Sequence, residues 1–323
     1  MATITSLKNQ CVRDLAWSCF GQNLINDFGG LGHSAVQSCH IHLTAARQQW
    51  LLQLDQEPTP LLDYLSQPRS PRIGLYFEAL WQFFITHDAD LELLAHNLQV
   101  SYNKKTYGEF DVIYRDNSNG NSYHLELAIK FYLNNSLSAN RGIFSTDFGY
   151  WLGPNAIDRL DIKTEHLLNH QIKLSASEAG KNALALLGLE TVIPEIAIKG
   201  RLFYPHSINP EASTAALSPS HNYGHWANLS NLNKVTQTCV DWVILDRSEW
   251  ISPVYRTLAE LEQKIKCPLQ LQDTLSLYFS TNSQPLMICG LEQRDDYYCE
   301  KVRFFITADN WPKCTRRTAH KSL

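Results

Sequence analysis

The sequence predicts an α/β fold of the α+β kind, and three observations carry that prediction. Gly108 to Tyr132 reads as two strand-like runs around a polar turn. Arg72 to His87 is one apolar run of helical length, and the C-terminal part alternates short strand-like runs with a helical one. Each pattern follows from side-chain period: alternation for a half-buried strand, a repeat near 3.6 for a helix.

Taken in chain order, residues 1 to about 66 read as a helical N-terminal segment broken at Gly29-Gly30 to Gly32. Prolines 58, 60, 68 and 71 mark the passage into a central unit, residues 67–205. That unit closes with a helix from Ser177 to Leu189 and a strand from Glu195 to Tyr204. Residues 206–233, rich in Ser, Asn, Pro and Ala, read as a linker or long loop. Residues 234–323 read as a smaller α+β part, with strands at Val240 to Leu245, Leu286 to Gly290 and Tyr297 to Thr307 and a helix at Tyr255 to Lys266.

The central hairpin carries the chemistry. Phe110, Val112 and Tyr114 alternate with Glu109, Asp111 and Ile113, and Leu125 to Phe131 alternate with His124, Glu126, Ala128 and Lys130. Asn119-Gly120 tolerates the positive φ of a tight turn, so the runs pair antiparallel. The turn centre lies midway between Asp111 and Glu126, which sets these carboxylates opposite each other with Cβ atoms about 4.5–5.5 Å apart. Like charges so placed call for a cation or a retained proton. Mg²⁺ suits such a pair, because it takes one or two carboxylates and completes its shell with water and phosphate oxygens. The plain alternative is a ribbon whose acids are solvated. Upstream, Glu78 is the sole acid of the Arg72 to His87 helix and rises from a stripe containing Leu75, Trp81 and Ile85. It reads as a third ligand aimed at the hairpin or as the salt-bridge partner of Arg72 or another base.

A helix bearing Glu, a strand with Asp, a strand with Glu and a downstream Lys resemble the restriction-endonuclease-like PD-(D/E)xK nuclease superfamily. The resemblance implies a mixed sheet core flanked by helices. It also implies Mg²⁺ (or Mn²⁺) on Asp111 and Glu126 with Glu78, and Lys130 as the lysine serving the attacking water. The usual lysine position is occupied by Ala128, and Lys130 lies one pleat farther on, about 6.6–6.8 Å. Glu109, on the face of Asp111, is a substitute ligand or a solvated acid. More broadly, the chain resembles a bacterial family, the domain of unknown function 1853 proteins, through CVRDLAW (Cys11 to Trp17), GLYFEALWQF, GEFDVIY, HLELAIKFYL, Trp151 to Ser175, IKGRLFYP (Ile198 to Pro205) and GHW (Gly224 to Trp226).

Beyond the hairpin, Asn155 reads as the N-cap of a helix running toward Ser175. Gln171 shares the stripe of Leu160 and Leu167 and either reaches the site or bonds to backbone. Lys163 occupies another face, where it substitutes for the displaced strand lysine or is solvated. His166 and His170 have metal-ligand spacing without a third ligand. Nucleic-acid contacts fall on Lys104, Lys105, Arg141 and Trp151, with Arg141, Phe144, Phe148, Tyr150 and Trp151 either stacking on bases or packing their own loop. The tail adds Lys313, Arg316, Arg317 and Lys321.

With 28 basic against 32 acidic residues and a formal charge of −4, charge gives a nucleic-acid partner weak support, since dedicated duplex binders are usually more basic on at least one face. No apolar run reaches the roughly 18 residues of a membrane span, and the N-terminus lacks the apolar stretch of a secretion signal. The eight cysteines contain no CxxC, which fits reduced thiols and a cytoplasmic location. Cys39-His40-Ile41-His42 lies in a stretch read as helix, too compact for a zinc site. The composite expectation is a metal-dependent nuclease-like protein hydrolysing phosphodiester bonds of DNA or RNA. Its alternatives are a catalytically inactive module of the same fold, binding nucleic acid or a protein partner, and a structural scaffold.

Overall fold

The computed structural model describes residues 6–33, 36–67, 70–136, 147–208 and 217–312. Helix α1 (Gln10–Phe20) starts where the Asn9 side chain accepts the Cys11 and Val12 N–H groups. Strand β1 (Gln37–Ser38) follows, then α2 (Ala45–Gln56), opened by the Thr44 hydroxyl on the Arg47 N–H. The stretch around Cys39, read above as helix, is therefore extended up to Thr44. The Cys39 N–H is taken by the Ile196 carbonyl, so sheet pairing overrides local propensity. Next come α3 (Thr59–Ser66) and α4 (Ile73–His87), whose Phe77, Leu80, Trp81 and Phe84 are buried.

The central strands are β2 (Leu91–Tyr102), β3 (Lys105–Asp116), β4 (Asn121–Asn134) and β5 (Trp151–Leu152). After α5 (Leu160–His166) and α6 (Glu178–Leu186) comes β6 (Ile193–Pro205). The remainder is β7 (Tyr223–Asn228), α7 (Leu232–Thr236), β8 (Asp241–Leu245), β9 (Tyr255–Thr257), α8 (Leu258–Leu261), α9 (Pro268–Thr281), β10 (Leu286–Arg294) and β11 (Tyr297–Thr307). The predicted turn forms at Asn117 to Gly120, with Gly120 at φ 74°.

Among the described residues, eleven strands make one mixed sheet, ordered β2-β3-β4-β6-β7-β11-β10-β8, with β1 on β6, β5 on β4 and β9 on β11. The middle, β4-β6-β7-β11, is parallel, and antiparallel hairpins extend it at both ends. Within residues 206–233, expected as a linker or long loop, Tyr223–Asn228 forms β7 and α7 begins at Leu232, and β7 joins the two halves of the sheet. One apolar cluster likewise runs from Leu15 and Trp17 through Trp81 and Leu125 to Met287 and Phe305. Polar composition misled the boundary because β7 is short and its burial comes from long-range partners. The helix expected at Tyr255 to Lys266 is split between β9 and the four-residue α8.

A charged clamp ties β1 to the hairpin. His40 Nδ1 lies 2.6 Å from Glu195 Oε1 and its Nε2 lies 2.9 Å from Asp116 Oδ2. The Tyr114 hydroxyl donates to the other Glu195 oxygen at 2.9 Å. The Glu195 hydrogen bond, with help from Asp116, pushes the imidazolium up to about 9 despite opposing burial. Because the folded value is raised, the stabilisation is full below the ordinary histidine range and fades as pH rises through about 9. The melting-temperature gap between the native chain and His40→Gln is accordingly expected to be widest near pH 6 and to close toward pH 9, read by differential scanning fluorimetry.

Candidate active site at the split of a hairpin

β3 and β4 are paired only from Val112↔Leu125 to Asp116↔Asn121. One step beyond, at Asp111 and Glu126, the strands part: β3 continues on β2, while β4 continues on β6. The Leu127 N–H, which a continuing β3 would have received, donates to Asp111 Oδ2 at 2.8 Å. The two acids predicted to face each other thus stand at the fork, where the two faces of the sheet meet.

From one face, α4 brings Glu78. Its Oε2 accepts from Asn97 Nδ2 at 3.2 Å, and the same amide group reaches Glu109 Oε1 at 3.1 Å. Asn97 Oδ1 accepts from Gln82 Nε2 at 2.7 Å. Asn97 sits at φ 47° inside β2, a left-handed conformation that asparagine tolerates better than most residues. No ion pair joins Glu78 to Arg72 among the described residues.

From the other face comes Gln171, at the end of a five-residue π-helical turn, Leu167–Gln171, that prolongs α5. Such turns are rare and recur at functional positions. Gln171 Nε2 donates to Glu126 Oε2 at 2.8 Å, and Gln171 Oε1 accepts from Lys163 Nζ at 2.9 Å. His166 Nδ1 lies 3.2 Å from that same oxygen. Glu126 is fully buried, and its Oε1 lies 2.8 Å from His124 Nε2. Burial drives the His124 ring down to about 4, and its Nδ1 has no hydrogen-bond partner among the described residues.

Electrostatics follow from this crowding. Burial, then the Asp111 charge, pushes Glu78 up to about 7. Burial, then Glu126, pushes Asp111 up to about 7. Glu126 also rises to about 7 through burial, against the pull of Lys163. Lys163 is in turn lowered, first by burial and then by Lys130, while Asp111 and Glu126 oppose the shift. Three carboxyls that resist ionising together, beside one ammonium, form a site short of positive charge.

Among the described residues, no three His, Cys, Asp or Glu side chains form a group able to enclose a metal ion. The expected cage of three acids is thus replaced by the pair Asp111 and Glu126 with Glu78 beside it. That donor set fits Mg²⁺ or Mn²⁺, which take oxygen ligands and need only one or two carboxylates; each carboxylate oxygen has a second lone pair beyond its hydrogen bond.

Other expectations need correction. Lys130 does not point its ammonium at the acids but bonds Asp158 Oδ2 at 2.6 Å. Its position is fixed by β6, since a Cβ on Gly200 (φ 142°) would fall 1.7 Å from the Lys130 carbonyl. Trp151 is fully buried, edge-on to Tyr204, and offers no face to a base. Lys104 and Lys105 are exposed at the β2–β3 turn, and Lys105 is about 20 Å along the strand from Asp111. Arg141, Phe144 and the basic tail fall outside the described residues. Asn155 caps its own turn, accepting from the Ile157 N–H at 3.1 Å, and not α5. His124, Gln82 and Asn97 went unread as site residues. His124 was legible as the same-face neighbour of Glu126, whereas Gln82, on α4, acts through Asn97, a positive-φ residue in a strand the sequence pattern did not disclose.

Fold and fork together define a mixed α/β protein with a carboxylate pair at a strand split, Glu126 buried and Asp111 half-buried. The family model for the domain of unknown function DUF1853 matches residues 13–307, so the chain belongs to that family. No curated protein and no solved structure matches. No helix among the described residues is long and apolar enough to cross a membrane.

Proposed function

We propose that this chain is a metal-dependent phosphodiesterase of the PD-(D/E)xK nuclease-like kind, cytoplasmic and acting on DNA or RNA. The observation that carries the reading is the fork itself: Asp111 and Glu126 interact one step past the last β3–β4 pair, Val112↔Leu125, and Gln171 ties Glu126 to Lys163. Asp111 and Glu126 would hold Mg²⁺ or Mn²⁺, with Glu78 beside them. The ion, when bound, supplies a Lewis acid for the phosphoryl group.

Everything else falls to the chain's own groups. His124 and Gln171 fix both oxygens of Glu126, so its carboxylate is preorganised. Lys163, reaching in from α5, takes the task that strand position 128 would have had and stabilises the charge that develops on the phosphate. Asn97 holds Glu78 and Glu109 at a fixed separation.

A second reading, an inactive binding module of the same fold, is favoured by one observation: Ala128 stands at the usual lysine position and Lys130 is committed to Asp158. Cleavage of labelled single- and double-stranded DNA and RNA with Mg²⁺ separates the two. The native chain is expected to exceed Glu126→Gln by at least about a hundred-fold. Equal rates for the two proteins would sink the enzyme and leave the binder.

A further inference from the structure

Asn97 stands in β2 between the pairs His96↔Val112 and Leu98↔Phe110, so its backbone lies opposite Asp111. Its φ of 47° breaks the extended path there, a conformation kept in non-glycine residues where surrounding contacts over-determine it. The contacts are those of its amide. Nδ2 donates to Glu78 Oε2 at 3.2 Å and to Glu109 Oε1 at 3.1 Å, one acid from α4 and one from β3. Asn97 is exposed, so its own packing does not choose between the two orientations of that amide.

The direction is set from behind. Gln82, one helical turn after Glu78 on α4, is buried, and its Nε2 donates to Asn97 Oδ1 at 2.7 Å. His96 Nδ1 lies 3.1 Å from the same oxygen. Gln82 Oε1 in turn accepts from the Tyr64 hydroxyl at 3.2 Å. Tyr64 belongs to α3, and its ring lies 5.5 Å from that of Phe83. With its oxygen taken by Tyr64, Gln82 presents its NH2 to Asn97, and Asn97 presents its own NH2 to the acids. Reversing both amides would set Asn97 Oδ1 against two carboxylates, which accept and do not donate when ionised.

We infer that Tyr64, Gln82 and Asn97 are a relay of positioning residues running from the N-terminal helices to the fork, which aims the Asn97 NH2 at Glu78 and Glu109 and holds both acids beside the Asp111–Glu126 pair. The inference rests on the proposed nuclease reading and adds residues that serve it without touching the phosphate. Outer contacts of this kind orient the groups that do, and losing one typically lowers metal affinity or rate about 10- to 100-fold. Tyr64 is the informative end, because its hydroxyl reaches the acids only through the Gln82 and Asn97 amides.

The metal-free protein is isotope-labelled at asparagine nitrogen for NMR, and the Asn97 NH2 signals are assigned by their absence from Asn97→Gly. Tyr64→Phe, which keeps the ring against Phe83 and removes the hydroxyl alone, is expected to move those signals and to leave Tm within about 2 °C of native. In Mg²⁺ cleavage assays of labelled DNA and RNA, Asn97→Gly is expected to lower kcat about ten-fold and Tyr64→Phe about three-fold, with KM staying within about two-fold. Glycine takes a φ of 47° without strain, so Asn97→Gly tests the amide and not the backbone. Asn97 signals that stay in place in Tyr64→Phe overturn the relay, as does a native kcat in both variants. If the native chain still cleaves in an Asp111-dependent way under those outcomes, the nuclease reading stands alone. Moved signals with no cleavage by the native chain keep the relay and remove the nuclease reading.

Discussion

Lys163→Ala is expected to lower phosphodiester cleavage by at least about a hundred-fold, while Lys130→Ala lowers it by less than about ten-fold and mainly through KM. The contrast comes from where each ammonium is held. Lys163 shares Gln171 with Glu126 and feels the charges of Asp111 and Glu126 directly. Lys130 sits on the same strand face as Glu126 but is held by Asp158 at 2.6 Å. A lysine that acts on the reacting phosphate lowers kcat when lost; one that touches the substrate elsewhere weakens binding. Lys163→Arg retains the charge and is expected to restore part of the rate, whereas Gln171→Leu, which releases Lys163 and one Glu126 oxygen together, is expected to resemble Lys163→Ala. The reverse order of effects, Lys130 above Lys163, would return the catalytic task to the strand lysine.

The second large effect is on stability. Unfolded Asp and Glu lose their protons near pH 4, whereas Glu78, Asp111 and Glu126 lose theirs near 7 in the folded chain. Between those limits these three groups hold more protons in the folded state than in the unfolded state, so their contribution to stability falls as pH rises from about 4 to about 7, with the depressed His124 acting in the opposite direction. Above that window the penalty is complete, and a bound cation relieves it. Mg²⁺ at a hundred times its Kd adds about 2.7 kcal/mol. For a chain of this size that is a shift on the order of 5 °C in Tm at pH 8. At pH 5, where protons occupy the site, the shift is expected to vanish. Asp111→Asn removes one of the mutually repelling acids and is expected both to flatten the pH dependence of the metal-free protein and to abolish the Mg²⁺ shift. A native-minus-Asp111→Asn difference in Tm that climbs between pH 5 and 8 without metal would contradict the crowding of charge at the fork.

The hairpin was legible because its information is local. Asn119-Gly120 fixes the turn, and the two-residue period then carries the pairing to Val112↔Leu125, one step short of Asp111 and Glu126, without reference to the rest of the chain. The α4 helix was legible for the same reason, and with it the direction from which Glu78 approaches. What failed was long-range. The linker expected over 206–233 holds β7, a strand that exists because β6 and β11 flank it. The extended path at Cys39 and His40 depends on Ile196, Glu195 and Asp116, all remote in sequence. Lys130 lay on the predicted face, yet its ammonium followed Asp158, a partner 28 residues away that no periodicity announces. Trp151 looked available because aromatic loops often bind, and only tertiary packing put it against Tyr204.

Isothermal titration of the metal-free protein with Mn²⁺ at pH 8 tests the central claim most directly. The native chain is expected to bind a single ion per chain, with that binding lost in both Asp111→Asn and Glu126→Gln and weakened in Glu78→Gln. Mn²⁺ binding of equal strength in the native chain and in the Asp111→Asn and Glu126→Gln variants, or none in the native chain, would show that the fork between β3 and β4 is not a metal site.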